Sequence, residues 1–186
     1  ITHPAKRIPE EMLMTKPSLS FSDTRRLSFI CDHPLYVSSY QKLEELEKNR
    51  IFCRHQMDHL LDVARIAYIL DLKMNLGICQ DLIYAAALLH DIGKGQQYEE
   101  GIPHEIASAQ IAKQILEDMP PEFIFSDEEQ QEILSAIRYH RKLRSEPAPL
   151  EFLLYKGDKM SRACFACPAE PECNWNDTIK NKEIRL

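Results

Sequence analysis

Apolar side chains recur at helical spacing along most of the chain, and no stretch of useful length alternates between apolar and polar residues as a half-buried strand does. Gly93, Pro103 and the pair Pro120-Pro121 interrupt the pattern, and Ser126 followed by Glu129 is typical of a capping box at a helix start. The predicted helices span about 34–49, 53–70, 81–92, 103–119, 126–140 and 150–162. The chain is therefore predicted to be all-α, a compact single-domain bundle of five to seven helices.

The segments that flank this pattern differ from it. Residues 1–30 contain Pro4, Pro9 and Pro17 and show no sustained period, which predicts an irregular N-terminal arm. Residues 31–162 hold the predicted helical domain. Residues 163–186 form a tail that contains three cysteines.

Composition and charge narrow the classes of function. At 186 residues with 44% hydrophobic side chains, the chain is long enough to bury a core without disulfides. It has no apolar run of the roughly 20 residues that a membrane helix needs, and its N-terminus lacks a secretory signal pattern, so we expect no membrane association and a cytoplasmic location. The net charge of −6 argues against binding to extended nucleic acid. A homodimer is a further expectation for its assembly.

Ionisable side chains fall on the apolar faces of four separate predicted helices. His59, His90, His140 and Asp158 each follow or precede apolar residues of their own helix at helical spacing. Burying an imidazole or a carboxylate without a partner costs several kcal/mol, and a divalent cation between the helices would compensate all four at once. Mixed imidazole and carboxylate ligands without thiolate favour Fe, Mn, Ni, Co, Zn or Mg.

Two other interpretations of these histidines are a hydrogen-bonded helix end and a metalloprotease-like zinc site. His90 and Asp91 follow the apolar run Leu82 to Leu89 and could be hydrogen-bonded at a helix end that Gly93 terminates. His55 and His59 stand four apart, as in a metalloprotease helix, yet Gln56 follows His55 where that chemistry needs a glutamate. The second interpretation is therefore disfavoured, although His55 could line the cavity.

These residues, taken in order, resemble a known superfamily. His59 with Val63-Ala64, the run from Ala86 through His90-Asp91 to Lys94, then His104, His140 and Asp158 resemble the HD-domain metal-dependent phosphohydrolases over residues 34–162. The motif order is specific for the superfamily and uninformative about substrate. The likeness extends to bacterial HD proteins that split symmetrical dinucleoside tetraphosphates, from which the Lys156-Gly157-Asp158-Lys159 setting and the cysteine tail depart.

The resemblance implies a ligand set and a reaction. It implies that one or two divalent ions are held by six residues: His59, His90, Asp91, His104, His140 and Asp158. Asp91 has two oxygens and could bridge two ions, and a metal-activated water would attack phosphorus. Lys94 would offset negative charge in the transition state, or it could serve only as a lysine near a helix C-terminus. Further candidates for holding substrate phosphates are Arg54, Arg141, Lys142 and Arg162.

The cysteine tail predicts a second site. Cys164, Cys167 and Cys173 form a C-x2-C-x5-C pattern, which suits zinc or an iron–sulfur cluster but supplies three of the usual four ligands. Cys31, His33 or a cysteine of a partner chain could supply the fourth. Three unliganded thiols are the alternative. If the site exists, it is expected to fix the tail against the helical core.

Three functions are compatible with these observations. The first is a metal-dependent phosphohydrolase that acts on a nucleotide or another small phosphate ester. The second is a catalytically silent module that binds metal and nucleotide as a sensor. The third is a structural scaffold in which the histidines are ordinary core residues.

Overall fold

The computed structural model describes residues 25–184, and within that range it is a bundle of α-helices without strands. The helices are α1 (Arg25–Asp32), α2 (Pro34–Leu46), α3 (Met57–Met74), α4 (Gln80–Leu89), α5 (Lys94–Glu100), α6 (His104–Glu117), α7 (Asp127–Tyr139) and α8 (Pro149–Met160). Two short 3₁₀ turns, Cys164–Ala166 and Glu170–Glu172, follow α8. The all-α prediction is confirmed. No helix within residues 25–184 is both long and apolar enough to cross a bilayer.

Two of these helices were not predicted. Residues 25–30 were assigned to the irregular arm, but α1 forms there because Ile30 enters the core and Leu27 and Phe29 pack against it. The rest of the predicted arm, residues 1–24, lies outside the described residues. The second unpredicted helix is α5. The predicted helix over about 81–92 ends at Leu89, and Gly93 lies at the start of α5 instead of terminating α4.

The predicted start of α7 is confirmed in detail. The Ser126 hydroxyl accepts a hydrogen bond from the Glu129 backbone N–H at 3.2 Å, and the Glu129 carboxylate accepts one from the Ser126 N–H at 2.8 Å. This reciprocal capping satisfies two backbone donors that the first turn leaves free. The sequence pattern therefore located this helix start to the residue.

The core lies among α3, α4, α7 and α8, with α6 closing one side. Small residues allow close approach of these helices: a Cβ atom on Gly157 of α8 would lie 2.7 Å from the Val63 carbonyl oxygen on α3. Glycine is therefore required at this crossing. The approach brings the next residue, Asp158, to the face of α3 that carries His59.

A buried carboxylate fastens α8 to α7. The Glu151 side chain is fully buried and accepts hydrogen bonds from the Ser135 hydroxyl at 2.5 Å, the Arg144 Nε at 3.0 Å and the Ala148 N–H at 3.2 Å. Burial alone would raise the pKa of Glu151, but its bonds with Ser135 and Arg144 outweigh burial and lower the pKa. The carboxylate is thus charged and satisfied in the folded state.

We expect Glu151→Ala to lower the free energy of unfolding by about 2 kcal/mol, because it leaves the half-buried Ser135 hydroxyl and the Ala148 N–H without their partner. Urea denaturation at pH 7 measures the loss, with the exposed Glu146→Ala as control. Because the folded-state pKa lies below its ordinary value of 4.5, this stabilisation is present above pH 4.5 and is lost as the pH falls through the folded value. A difference from wild type that persisted undiminished at low pH would contradict this assignment.

Candidate metal centre

Six side chains, three on helices and three directly after helix ends, meet inside the bundle. They are His59 on α3, His90 and Asp91 in the turn after α4, His104 at the start of α6, His140 directly after α7, and Asp158 on α8. Five of the six residues are buried, and the His59 side chain is only 10% exposed. The structure therefore brings together the complete predicted set.

Asp91 stands between two groups of potential ligands. Its Oδ2 lies 3.2 Å from His90 Nε2 and 3.5 Å from His59 Nε2, and His59 Nε2 lies 3.6 Å from Asp158 Oδ1. Its Oδ1 lies 3.1 Å from His104 Nε2 and 3.7 Å from His140 Nε2. Each group has its ligand atoms within 4.8 Å of one another. The arrangement offers two adjacent sites that share one carboxylate.

The turn that presents His90 and Asp91 is wedged against α6. The Gly93 N–H donates to the Ser108 hydroxyl at 2.9 Å, and a Cβ atom on Gly93 would lie 2.3 Å from the Ser108 backbone nitrogen. Backbone atoms cannot yield as a flexible side chain can, so only glycine fits here. The contact fixes the turn and hence the position of Asp91.

The ring nitrogens that face away from the centre are mostly held by other groups. His90 Nδ1 lies 2.7 Å from the Ala87 carbonyl and His140 Nδ1 lies 2.6 Å from the Ile137 carbonyl, so each Nδ1–H donates to a carbonyl oxygen. His104 Nδ1 pairs with the side-chain oxygen of Gln97. This hydrogen bonding leaves the Nε2 lone pairs directed inward, as metal ligation requires.

Several inward atoms fit a cation better than any group of the protein. His59 Nε2, His90 Nε2 and Asp91 Oδ1 are buried and lack a hydrogen bond of good geometry, although His104 Nε2 approaches Asp91 Oδ1. An unsatisfied buried polar atom costs about 1–3 kcal/mol, and three of them together are unusual in a folded core. The imidazole and carboxylate donors match the preferences of divalent transition metals.

The two carboxylates at the centre are kept ionised. Burial alone would raise the pKa of Asp91, but Lys94, His90 and His55 outweigh it and hold the pKa well below the usual range. Arg162 and Lys159 likewise overcome burial and lower the pKa of Asp158. Both groups are therefore anionic at neutral pH, which is the form that ligates metal.

A cavity of about 240 Å³ opens beside His104 and is rich in cations. Its lining includes Arg50, Lys94, Arg141, Lys159 and Arg162, with Phe52 and Trp175 as aromatic walls. Lys94 Nζ lies 3.8 Å from Asp91 Oδ1, and the Arg162 guanidinium donates to Asp158 Oδ1 at 2.7 Å. The cavity therefore joins the metal ligands to a surface that suits an anion.

Three of the five predicted phosphate contacts lie in this cavity: Lys94, Arg141 and Arg162. Arg54 lies outside it and donates to the carbonyl oxygens of Lys48 and Arg50, and Lys142 is exposed and lines none of the cavities beside the centre. Sequence reasoning did not select Arg50, Lys159, Phe52 or Trp175 as substrate contacts. Lys159 directly follows Asp158, which is a signal that could have found it, whereas the other three lie in loops without a period.

His55 is close to the centre but is engaged elsewhere. Its Nδ1 and backbone N–H both bond the buried Glu47 carboxylate, and its Nε2 lies 4.0 Å from Asp91 Oδ2. The Tyr98 hydroxyl also donates to Glu47, at 2.7 Å. Glu47 was missed, although it follows the buried Leu43 by one helical turn, which is a signal that could have found it.

A larger groove of about 390 Å³ lies between α6 and α7, but its lining includes no imidazole or carboxylate side chain. We therefore place the chemistry at the smaller cavity, where candidate ligands and cations occur together.

Comparison with known proteins points to the part of the chain that contains the six residues of the centre. The family model described as "HD domain" matches residues 57–164, which include all six residues of the centre. An "uncharacterized protein" of Clostridium beijerinckii is 42% identical over 159 residues, which cover 86% of this chain and 98% of that protein. No solved structure matches the chain significantly.

Two matched relatives are much longer than this chain. Ribonuclease Y of Petrotoga mobilis is 30% identical over 105 residues, 56% of this chain and 18% of that enzyme. The bifunctional uridylyltransferase/uridylyl-removing enzyme of Cereibacter sphaeroides is 37% identical over 87 residues, 47% of this chain and 8% of that enzyme. Their likeness to this chain is confined to about half of its length.

Proposed function

Because the chain belongs to the HD domain family, we propose that it is a metal-dependent phosphohydrolase whose substrate is a small phosphate ester, with nucleotides as the leading class. The observation that carries this proposal is the position of Asp91, between two groups of histidines and beside a cavity lined with cations. The six ligand residues would hold one or two divalent ions. A divalent ion bound there supplies Lewis acidity, which lowers the pKa of water toward neutrality and stabilises charge on phosphoryl oxygens.

The residues around the centre have distinct tasks in this proposal. Lys94 lies 3.8 Å from Asp91 on the cavity side and is placed to contact a phosphoryl oxygen at the reacting end of the substrate. Arg50 and Arg141 line the same cavity and, in this proposal, would bind more distant phosphates. Arg162 and Lys159 pair with Asp158 and orient that carboxylate.

Two features support a nucleotide over a simpler phosphate. Phe52 and Trp175 line the cavity that holds the cations, and aromatic rings stack on nucleobases. The names of two matched relatives refer to chemical groups built from nucleotides, RNA for a ribonuclease and a uridylyl group for a uridylyl-removing enzyme. The net charge of −6 supports a small anionic substrate rather than extended nucleic acid.

The direct test is to incubate the full chain with Mn²⁺ or Ni²⁺ and a panel of nucleotides, dinucleoside polyphosphates and p-nitrophenyl phosphate. Release of phosphate or of a shorter nucleotide that depends on the metal supports the proposal. Tight binding of nucleotide without any product would instead identify a sensor module, and no binding of metal would identify a scaffold.

We expect Lys94→Met to lower kcat about 100-fold while KM changes less than threefold, because the ammonium group acts on charge that develops in the transition state. Metal content should stay at the wild-type level, since Lys94 is not a ligand. Steady-state kinetics on the best substrate of the panel measures both constants. The exposed Lys113→Met is the matched control, and equal kcat values for the two variants would refute the role of Lys94.

A further inference from the structure

The tail beyond α8 is anchored to the helical core. The Asn181 side-chain amide donates to the carbonyl oxygens of Lys159 at 2.7 Å and of Arg162 at 2.8 Å. The Phe165 N–H donates to the Asn181 carbonyl oxygen at 2.9 Å. Lys180 is buried, and its ammonium group bonds the Glu170 carboxylate at 2.9 Å. The segment that carries the cysteines is therefore held in a defined position.

Short turns arrange the three cysteines of the tail. The Cys167 N–H donates to the Cys164 carbonyl oxygen, and the Cys173 N–H donates to that of Glu170, both at 3.2 Å. All three thiols are free and half-buried, and all three residues line one small apolar cavity. The tail thus directs its C-x2-C-x5-C motif to a single place.

A fourth cysteine completes the wall of that cavity. Cys53, from the loop between α2 and α3, lines it together with Phe52, Glu170 and Lys180. Cys53 is itself exposed, and the three half-buried cysteines of the tail line the same cavity. A cysteine far away in sequence therefore lies with the motif in space.

The fourth ligands expected from the sequence are placed elsewhere. Both ring nitrogens of His33 are engaged, Nδ1 by the Leu35 N–H at 3.1 Å and Nε2 by Asp118 at 3.2 Å. Cys31 packs against the core on α1. Neither residue lines the cavity of the three cysteines.

We infer that Cys53, Cys164, Cys167 and Cys173 are the four thiolate ligands of a second metal centre, which takes a thiophilic metal as an iron–sulfur cluster or a zinc ion. The shared chemistry is complete thiolate ligation, in which each thiol releases its proton on binding. The inference does not depend on the proposed phosphohydrolase activity.

The geometry leaves a choice between two metals of this class. The cavity volume of about 20 Å³ fits a single ion. Among the described residues, no three of these thiols have all their sulfur atoms within 4.8 Å of one another. Tetrahedral zinc with Zn–S bonds of about 2.3 Å brings its sulfurs to about 3.8 Å, whereas a cluster separates them by its own iron and sulfide ions. The wider sulfur spacing suits the cluster and the small cavity suits a single zinc ion, so the two metals are separate outcomes of the test.

Metal at the four thiols would also affect the cation-lined cavity beside His104. Cys53, Cys164 and Cys173 also line the 240 Å³ cavity beside His104, and Trp175, which lines it too, is two residues from Cys173. The Arg162 guanidinium lies 4.3 Å from the centroid of the Trp175 ring. Metal at the four thiols would therefore fix the position of this part of the lining.

The test loads the full chain, purified without oxygen, either with Zn²⁺ or with sulfide and equal amounts of ferrous and ferric iron, which together match the oxidation state of a [4Fe–4S]²⁺ cluster. Acid-labile sulfide and visible absorbance report a cluster. Zinc is measured in Asp91→Asn, because this substitution is expected to abolish metal binding at the centre of six residues, so that the remaining zinc is held by the thiols. We expect wild type to hold about four iron and four sulfide ions, or Asp91→Asn to hold about one zinc ion. Adding Cys53→Ser should lower this content at least tenfold, and adding Cys79→Ser, an exposed single cysteine, should not.

Each result decides the inference. Sulfide or thiol-bound zinc that depends on Cys53 supports it and names the metal. Wild-type content in Cys53→Ser, or no sulfide and no thiol-bound zinc in the unsubstituted chain, overturns it. If Cys53→Ser fails to fold, alkylation of metal-loaded wild type gives the answer instead. The inference is supported if the four thiols are protected and a chelator abolishes this protection. It is overturned if all four thiols react freely in the metal-loaded protein. Asp91→Asn should keep the sulfide of its cluster even though it loses activity. Failure of the phosphohydrolase proposal is therefore distinguishable from failure of the inference about the four cysteines.

Discussion

Asp91→Asn is expected to reduce metal-dependent phosphohydrolase activity by about a thousandfold or more. Within residues 25–184, Asp91 is the one residue that belongs to both groups of candidate ligands, so its loss removes a ligand from each potential site. Asparagine has nearly the same volume but keeps one neutral oxygen as acceptor, which cannot balance the charge of two cations. Initial rates with Mn²⁺ on the preferred substrate measure the change.

The control for this prediction is Asp127→Asn, an exposed aspartate at the start of α7, which should keep full activity. Circular dichroism should show that both variants are helical, so that loss of activity is not loss of fold. An Asp91→Asn protein that retained more than about a tenth of wild-type activity would exclude Asp91 from the chemistry.

His104→Ala is expected to lower activity about 100-fold while preserving part of the metal content. His104 and His140 belong to one group, with their Nε2 atoms 3.1 Å apart, whereas His59, His90 and Asp158 belong to the other. Removal of His104 should therefore release the ion of its own group and leave the second group intact. Metal titration of the variant should show one binding event where wild type shows two.

The comparison with His59→Ala separates two sites from one. His59→Ala should also lose one binding event, but the double variant His59→Ala/His104→Ala should bind no metal with comparable affinity. A single binding event in wild type, abolished equally by either substitution, would show that all six residues serve one ion.

Periodicity predicted most of the centre because the candidate ligands lie on helices or follow a helix end directly. His59, His90, His140 and Asp158 share faces with core residues such as Val63 and Leu154, so the requirement for burial is visible in the sequence. His104 follows a proline at a helix start and was reached only through the resemblance. The structure agrees with both routes, since it places all five within the two groups.

The parts that sequence could not supply depend on loops and on turns. Arg50, Phe52 and Cys53 lie between α2 and α3, where no period relates a side chain to a direction in space. Phe52 and Cys53 line one cavity together with residues of the tail, so their surroundings depend on a segment far away in sequence. The first unpredicted helix, α1, is too short for its pattern to stand out from the preceding prolines, and it is stabilised by tertiary packing of Ile30.

The most direct test of the metal centre is a titration of the full chain with Mn²⁺, measured by isothermal calorimetry and checked by elemental analysis. Mn²⁺ is chosen because it is a hard ion that thiols bind poorly. The predicted result is about two Mn²⁺ per wild-type chain, with none retained by Asp91→Asn under the same conditions. Equal Mn²⁺ content in wild type and Asp91→Asn, or none in either protein, would contradict the account.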